Sequence, residues 1–405
     1  MIPEIHISDY SYPLTDDRIA KYPLSERDAS KLLVYRDGTV TESKFRNLAG
    51  YLPESALMVF NDTRVVPARL FFRRTSGALI EIFCLEPVSP VEYNLAFAAT
   101  DRCSWKCVIG NAKRWKDDIL LFDCPEGSEA AAFRLQARLL ERTDRTGTVE
   151  FTWTGAQPFS RVLECCGQVP IPPYLNRRTE SIDKERYQTL YAHIRGSVAA
   201  PTAGLHFTPE VLSAIDARGL KRETVCLHVG AGTFLPVKGD RVREHAMHRE
   251  PFYVPLSLLR DLRTRRGCVA VGTTSVRTLE SLYYMGVHCI EEGAPADVEQ
   301  WEPYERSYPY STDEALDALI GWMEGKGLDT LEAGTRIIIV PGFRFRLTEA
   351  MVTNFHQSES TLILLVAAFV GEDWRKIYDY ALSHDFRFLS YGDSSLLYRN
   401  SEIYG

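Results

Sequence analysis

Cys268-Val269-Ala270-Val271-Gly272-Thr273-Thr274-Ser275-Val276-Arg277 carries two backbone types in one short run. Cys268 to Val271 is a brief apolar run, the signature of a buried strand. Gly272 breaks it, and the hydroxyls of Thr273, Thr274 and Ser275 suit the first turn of a helix. Val276, Leu279, Leu282 and Tyr283 then recur at helical spacing, and Gly286 is expected to end that helix. The same strand-then-helix grammar extends outward in both directions. Upstream, Thr208-Pro209 opens a helix with Thr as N-cap and Pro at the first position. Val211, Leu212 and Ile215 form its apolar face, Gly219 stops it, and Val225 to Leu227 is the next strand. Downstream, Ile337 to Val340 reads as a buried strand, and Ser360 caps a helix from Leu362 to Phe369. Near the start, Lys31 to Tyr35 is a strand stopped by Asp37-Gly38, and Ala56 to Phe60 is another, ending at Asn61-Asp62-Thr63.

Alternating strands and helices predict an α/β fold with a mainly parallel sheet. Between Arg64 and Trp153 the texture differs. Leu79 to Leu85, Cys107 to Ile109, Ile119 to Phe122, Phe133 to Leu140 and Thr148 to Trp153 are short β-rich runs between turn signals. Such spacing fits a small antiparallel barrel or sandwich. The expected organisation is a discontinuous α/β domain, residues 1–63 and 156–405, interrupted by an inserted antiparallel β-barrel-like domain over residues 64–155.

Composition bounds the class. The chain has 405 residues, 45% hydrophobic, 25% charged and 11% aromatic, as a water-soluble globule has. Met1-Ile2-Pro3-Glu4 lacks the basic-then-apolar pattern of a secretory signal. No apolar run approaches the ~20 residues of a membrane span. Nine cysteines without framework spacing read as reduced thiols, so a cytoplasmic location is expected. A net charge of −7 argues weakly against nucleic acid, yet Arg64 to Lys116 holds nine Lys/Arg against four Asp/Glu. Arg64, Arg69, Lys113, Arg114 and Lys116 are therefore candidate RNA contacts, with Trp105 and Trp115 as candidate stacking partners.

Two strings carry the chemistry. Ala199 to Phe207 reads Ala-Ala-Pro-Thr-Ala-Gly-Leu-His-Phe, and Leu227 to Phe234 reads Leu-His-Val-Gly-Ala-Gly-Thr-Phe. Glycine permits close backbone approach to a ligand, and histidine moves protons near neutral pH. Thr202, Gly204 and His206 in the first string, with His228, Gly230, Gly232 and Thr233 in the second, are candidate site residues. The Gly-x-Gly is not a dinucleotide fingerprint, because Pro236 and the polar run Lys238 to Glu244 stand where a helix is needed. The alternative is a plain β-turn. Thr273, Thr274 and Arg277 suit a carboxylate or phosphate at a helix N-terminus, or simply cap that helix. Thr353-Asn354-Phe355-His356 and Tyr391-Gly392-Asp393 add Asn354, His356, Tyr391 and Asp393, each equally at home in a loop. His245-x-x-His248 lacks a supporting helix pattern, so no metal is expected.

Together these strings resemble the S-adenosylmethionine:tRNA ribosyltransferase-isomerases, bacterial enzymes of queuosine biosynthesis. Matching stretches include Asn61 to Val65, Pro67 to Leu70, Pro170 to Tyr174, Tyr187-Gln188-Thr189 with Tyr191, Gly196 to Phe207, and Leu227 to Phe234. They continue through His245-x-Met247-His248-x-Glu250, Val271 to Glu280, Pro341-Gly342-Phe343, Thr353 to His356, Ser360-Thr361-Leu362 and Ser390 to Asp393. The resemblance implies an α/β domain interrupted by a barrel. It also implies transfer and isomerisation of the ribosyl part of S-adenosylmethionine onto 7-aminomethyl-7-deazaguanine at the tRNA wobble position. Epoxyqueuosine tRNA is the product, and adenine and methionine leave. S-adenosylmethionine is the ribosyl-donating substrate; no metal and no membrane are implied, and a monomer is expected.

On that reading His206 and His228 lead as proton movers sharing one cavity, and His356 is a third candidate. Asp62 and Asp393 orient a histidine or hold ribose hydroxyls. Thr273, Thr274 and Arg277 hold the methionine carboxylate, and Asn354 and Tyr391 meet adenine. Gln357-Ser358 departs from the family's Leu-Pro, which predicts a looser loop. A paralogue acting on a related nucleoside, an S-adenosylmethionine-dependent RNA methyltransferase and a non-catalytic RNA-binding module are the rival readings.

Overall fold

The computed structural model describes residues 2–74, 76–116, 118–124, 127–143, 146–197, 199–228, 239–265 and 267–400. Its frame is a nine-stranded sheet. In chain order the strands are β1 (Lys31–Arg36), β2 (Thr39–Lys44), β3 (Leu57–Asn61), β4 (Lys221–Leu227), β5 (Glu250–Pro255), β6 (Cys268–Val271), β7 (Thr330–Thr335), β8 (Thr348–Asn354) and β9 (Ser394–Tyr398). Their spatial order is β7-β5-β4-β3-β6-β8-β9-β1-β2. The centre, β4-β3-β6-β8, is parallel as expected. Both flanks turn antiparallel, through β4-β5-β7 on one side and β8-β9 and β1-β2 on the other, while β9 and β1 are parallel.

The central strands are apolar on both faces because both faces are covered. Leu57 and Val59 of β3 join the larger core, whereas Met58 and Phe60 join the opposite one. Helices α2 (Leu256–Thr264), α3 (Thr273–Glu292), α4 (Thr312–Lys326), α5 (Thr361–Val370) and α6 (Asp373–Ser383) contribute to the first core. Helix α1 (Pro209–Ala217), Phe45 and Phe207 contribute to the second. Thr208 caps α1 through its side chain and Ser360 caps α5, as the sequence predicts.

Two element readings are corrected. Gly286 does not end α3, which runs on to Glu292 with Gly293 in the left-handed region behind it. Gly286 faces α4 instead, where a Cβ would overlap the Ala315 carbonyl; the glycine is there for close helix packing. Ile337 to Val340 is buried but is not a strand. The Tyr304 hydroxyl accepts from the Val340 amide and donates to the Ile338 carbonyl, doing there what a ladder partner would do.

The inserted segment is a closed six-stranded barrel. Its strands are Arg69–Arg73, Leu79–Ser89, Arg102–Gly110, Leu120–Phe122, Gln136–Thr143 and Thr146–Thr152, all antiparallel. It has its own core, which also takes in Val66 and the helix Phe159–Cys166. Trp105 and Trp115 are part of that core. The expectation that these indoles stack on a base is therefore overturned: they fill the barrel. The chain passes from β3 to the barrel through Thr63–Val65, which pairs in parallel with the returning strand Ile194–Ser197. No disulfide joins any of the cysteines. Among the described residues no helix is long and apolar enough to cross a membrane.

Candidate active site at the carboxyl edge of the sheet

In an open α/β sheet, ligands collect where the parallel strands end. Here β3 ends in Asn61-Asp62, β4 in Leu227-His228, β6 in Gly272-Thr273 and β8 in Asn354. Because β9 is antiparallel to β8 and parallel to β1, Asp393 and Ser30 come to the same edge. Segments far apart in the chain thus converge on one rim, and nearly all of them belong to the strings singled out above. Gly230, Gly232 and Thr233 lie outside the described residues.

His206 closes a short turn, Thr202–His206, laid over this edge. Gly204 in that turn sits where a Cβ would strike the Tyr191 hydroxyl and Thr189, so only glycine lets the turn settle. The His206 ring is 4% exposed and packs on Phe45. Its Nδ1 lies 2.9 Å from Ser30 Oγ and its Nε2 3.2 Å from Asn354 Nδ2. Asn354 also donates Nδ2–H to the Leu389 carbonyl at 3.0 Å, which fixes the amide's orientation. Nε2 must then accept, and Nδ1–H donates to Ser30. Burial first, and then the Arg387 and Arg27 charges, hold this imidazole down to about 4, with Asp393 opposing. It is a neutral ring with both nitrogens engaged.

His228 is 2% exposed and stands elsewhere on the rim. Its backbone amide bonds the Pro251 carbonyl. Its ring stacks on Tyr93 of the barrel segment at 4.7 Å and 12°, meets Tyr253 edge-on, and has Nε2 3.9 Å from Cys226 Sγ. The ends of β4 and β8 are three strand steps apart, about 14 Å. The two histidines therefore share an edge, but among the described residues the pocket that His206 lines does not include His228. The expected common cavity is thus not seen among the described residues, and residues 229–238, which follow His228, lie outside them. His356 is removed from the rim chemistry as well: its Nε2 meets Thr353 Oγ1 at 2.9 Å, its carbonyl accepts from Tyr12, and burial lowers it to about 4.

Asp62 stands next to the β4 end. It is 8% exposed, and its Oδ1 has no partner among the described residues. Burial raises its carboxyl to about 6 against a Thr224 hydrogen bond and the His193 charge, which both lower it. Asn61, by contrast, is structural: its amide bonds both the N–H and the C=O of Leu227, stitching β3 to β4.

Other expected contacts are already taken. Arg277 ion-pairs with Glu250 of β5 and donates Nε–H to the Ile337 carbonyl, so it already has a counter-charge, while its Nη2 is buried without a partner among the described residues. Asp393 accepts from the amides of Lys31 and Arg387 and from the Arg387 guanidinium. Oδ1 takes two of these bonds and Oδ2 one, so most of its accepting capacity is committed within the protein. Tyr391 donates its hydroxyl to Asp183, itself paired with Arg177. Thr273 and Thr274 open α3 behind Gly272 at φ 90°, and no side chain caps that helix. Thr274 Oγ1 and Asn354 Oδ1 are buried without a partner among the described residues. The Gln357-Ser358 loop is not loose: Tyr12 N–H donates to Ser358 Oγ, and Glu359 N–H to the Tyr10 carbonyl.

Lys113, Arg114 and Lys116 on the barrel and Arg64 on the strand that leads to it are exposed, and Arg69 is salt-bridged to Glu81. Sequence reasoning missed Arg27, Ser30, Arg186 and Arg387. They line a small pocket with His206 and Tyr391, and no motif or periodicity marks them. Among the described residues no cluster of three or more potential metal ligands occurs.

The family described as queuosine biosynthesis protein matches residues 7–397. The chain belongs to that family. Relatives named S-adenosylmethionine:tRNA ribosyltransferase-isomerase span almost its whole length. The one from Trichlorobacter lovleyi is 37% identical over 96% of this chain and 99% of its own. That from Pelobacter propionicus is 36% identical with the same coverage. That from Legionella pneumophila is 37% identical over 96% and 98%. A crystal structure described as S-adenosylmethionine tRNA ribosyltransferase, from Thermotoga maritima, is 27% identical, with a TM-score of 0.46, over 96% of this chain and 100% of that one. The queuosine family match thus covers both the sheet's carboxyl rim and the barrel.

Proposed function

We propose that this protein transfers the ribosyl group of S-adenosylmethionine to 7-aminomethyl-7-deazaguanine at the tRNA wobble position and isomerises it, releasing adenine and methionine. One observation supports this reading above the rest. The near-full-length ribosyltransferase-isomerase likeness falls on a rim where Asp62 Oδ1, Thr274 Oγ1 and Asn354 Oδ1 are buried with no protein partner among the described residues. Buried polar atoms are rarely left so, and a bound substrate supplies the missing partners.

The chemistry asks for a base at the C5′ hydrogens, acidified by the sulfonium, and for an acid where adenine departs. Asp62, raised to about 6 and still able to accept through Oδ1, suits the base. His228, on the adjoining strand end, is the candidate acid. His206 acts as a positioning group rather than a proton mover. Thr202, Gly204, Thr273, Thr274, Asn354 and Tyr391 border the nucleoside. Arg64, Lys113, Arg114 and Lys116 on the 64–155 insert track the RNA backbone.

Incubation with tRNA bearing the aminomethyl base and S-adenosylmethionine tests the proposal. Free adenine and a nucleoside heavier by the transferred ribosyl group are the expected products. Release of S-adenosylhomocysteine, as from a methyltransferase, or no reaction at all, refutes it.

A further inference from the structure

The pocket beside His206 has an unbalanced charge. Arg27, Arg186 and Arg387 all line it. Arg387 has Asp393 as its partner. Arg27 donates only to the carbonyls of Gln188, Leu205 and Glu185, and Arg186 only to those of Leu24 and Ser25. Among the described residues neither has a carboxylate, and Arg186 Nε is buried with no partner. Carbonyl contacts orient a guanidinium without neutralising it, and partly buried charge is costly until a counter-charge arrives. A third donor faces the same space. Ser30 Oγ accepts from His206 Nδ1–H, so its own hydrogen is free to donate into the pocket.

We propose that this pocket seats the carboxylate of the amino-acid end of S-adenosylmethionine, with Arg27 and Arg186 as its counter-charges and the Asn354–His206–Ser30 chain presenting a hydroxyl donor. The assignment rests on the substrate reading above. Two observations favour a carboxylate over a phosphodiester of the tRNA. The enclosed space, about 20 Å³, is scarcely more than one water needs, so a small terminal group enters it and a nucleotide chain does not. Arg277, the alternative holder on α3, already has Glu250 as its counter-charge, whereas Arg27 and Arg186 have none among the described residues. Planar guanidinium forks match a carboxylate's two oxygens.

The test is calorimetric titration without tRNA, using S-adenosylmethionine, its α-carboxamide and 5′-methylthioadenosine, which lacks the amino-acid part. The wild-type protein should bind the carboxamide at least about tenfold more weakly than S-adenosylmethionine, the cost of a lost charged contact. R27Q and R186Q should weaken S-adenosylmethionine to that level and leave 5′-methylthioadenosine binding unchanged. R27K, which keeps the charge and loses the fork, should fall between. The wild-type comparison needs no substitution, so a variant that fails to fold does not decide the matter. Equal wild-type affinity for acid and amide overturns the proposal. So do variants that bind S-adenosylmethionine normally but lose tRNA in filter binding, which would make the pocket a phosphate site. Discrimination of acid from amide without adenine release would sink the transfer reaction and keep the pocket; no S-adenosylmethionine binding at all would sink both.

Discussion

Asp62 is a buried carboxyl that its surroundings push toward the neutral form. Its folded pKa lies above its unfolded one, so the folded state holds the proton more tightly. The Asp62 contribution to stability should fall as pH rises from about 4 to about 6, by up to about 3 kcal/mol for a shift of roughly two units, against the opposite contribution of the buried imidazoles His206 and His356. D62N should therefore steepen the rise of the urea midpoint with pH between about 4 and 6, because it removes the opposing contribution. A base must be ionised, so kcat/KM should climb with pH to a plateau above about 6. D62N should cut turnover at least about a hundredfold while S-adenosylmethionine still binds. H206A should raise KM far more than it lowers kcat; the reverse split would restore it as a proton mover. The strings containing Asp62, His206, Thr274 and Asn354 stood out in the sequence, and the fold brings them to one rim of the sheet. Their roles were not legible there. Glu250 reaches Arg277 and the Lys31 amide reaches Asp393 only through the fold.

At the scale of elements, the strand-to-helix grammar around Gly272 was readable because apolar runs and caps are local signals. The helix end at Gly286 was misread, because a glycine that stops a helix and one that admits a neighbouring helix look alike in one sequence. G286A distinguishes them. It should destabilise the protein by about 1–3 kcal/mol through overpacking against α4, read as a lower urea midpoint. A stabilised protein would mean the contact with Ala315 is not tight. Ile337 to Val340 was misread for a related reason: apolar residues mark burial, but only a partner marks a strand.

For the molecule as a whole, the inserted barrel was legible from its change of texture, whereas its indoles' inward aim was not. On the proposed reading the exposed Lys and Arg side chains meet the RNA, so replacing Lys113, Arg114 and Lys116 by alanine should weaken tRNA binding and shallow its salt dependence by up to about three ions' worth. Adenine release at saturating tRNA should hold. Acid should unfold the protein through two sealed imidazoles. His206 and His356, both lowered to about 4 by burial, contribute stability that is complete above about 6.5 and lost as pH falls toward 4. Urea midpoints that stay constant across that window would contradict this.

The two cords that tether the barrel lie side by side as paired strands, Thr63–Val65 and Ile194–Ser197. One begins immediately after Asp62, and the other runs toward the turn that carries His206. On the proposed reading, RNA held by the barrel and the sulfonium sugar at the rim are joined through this one pair of strands.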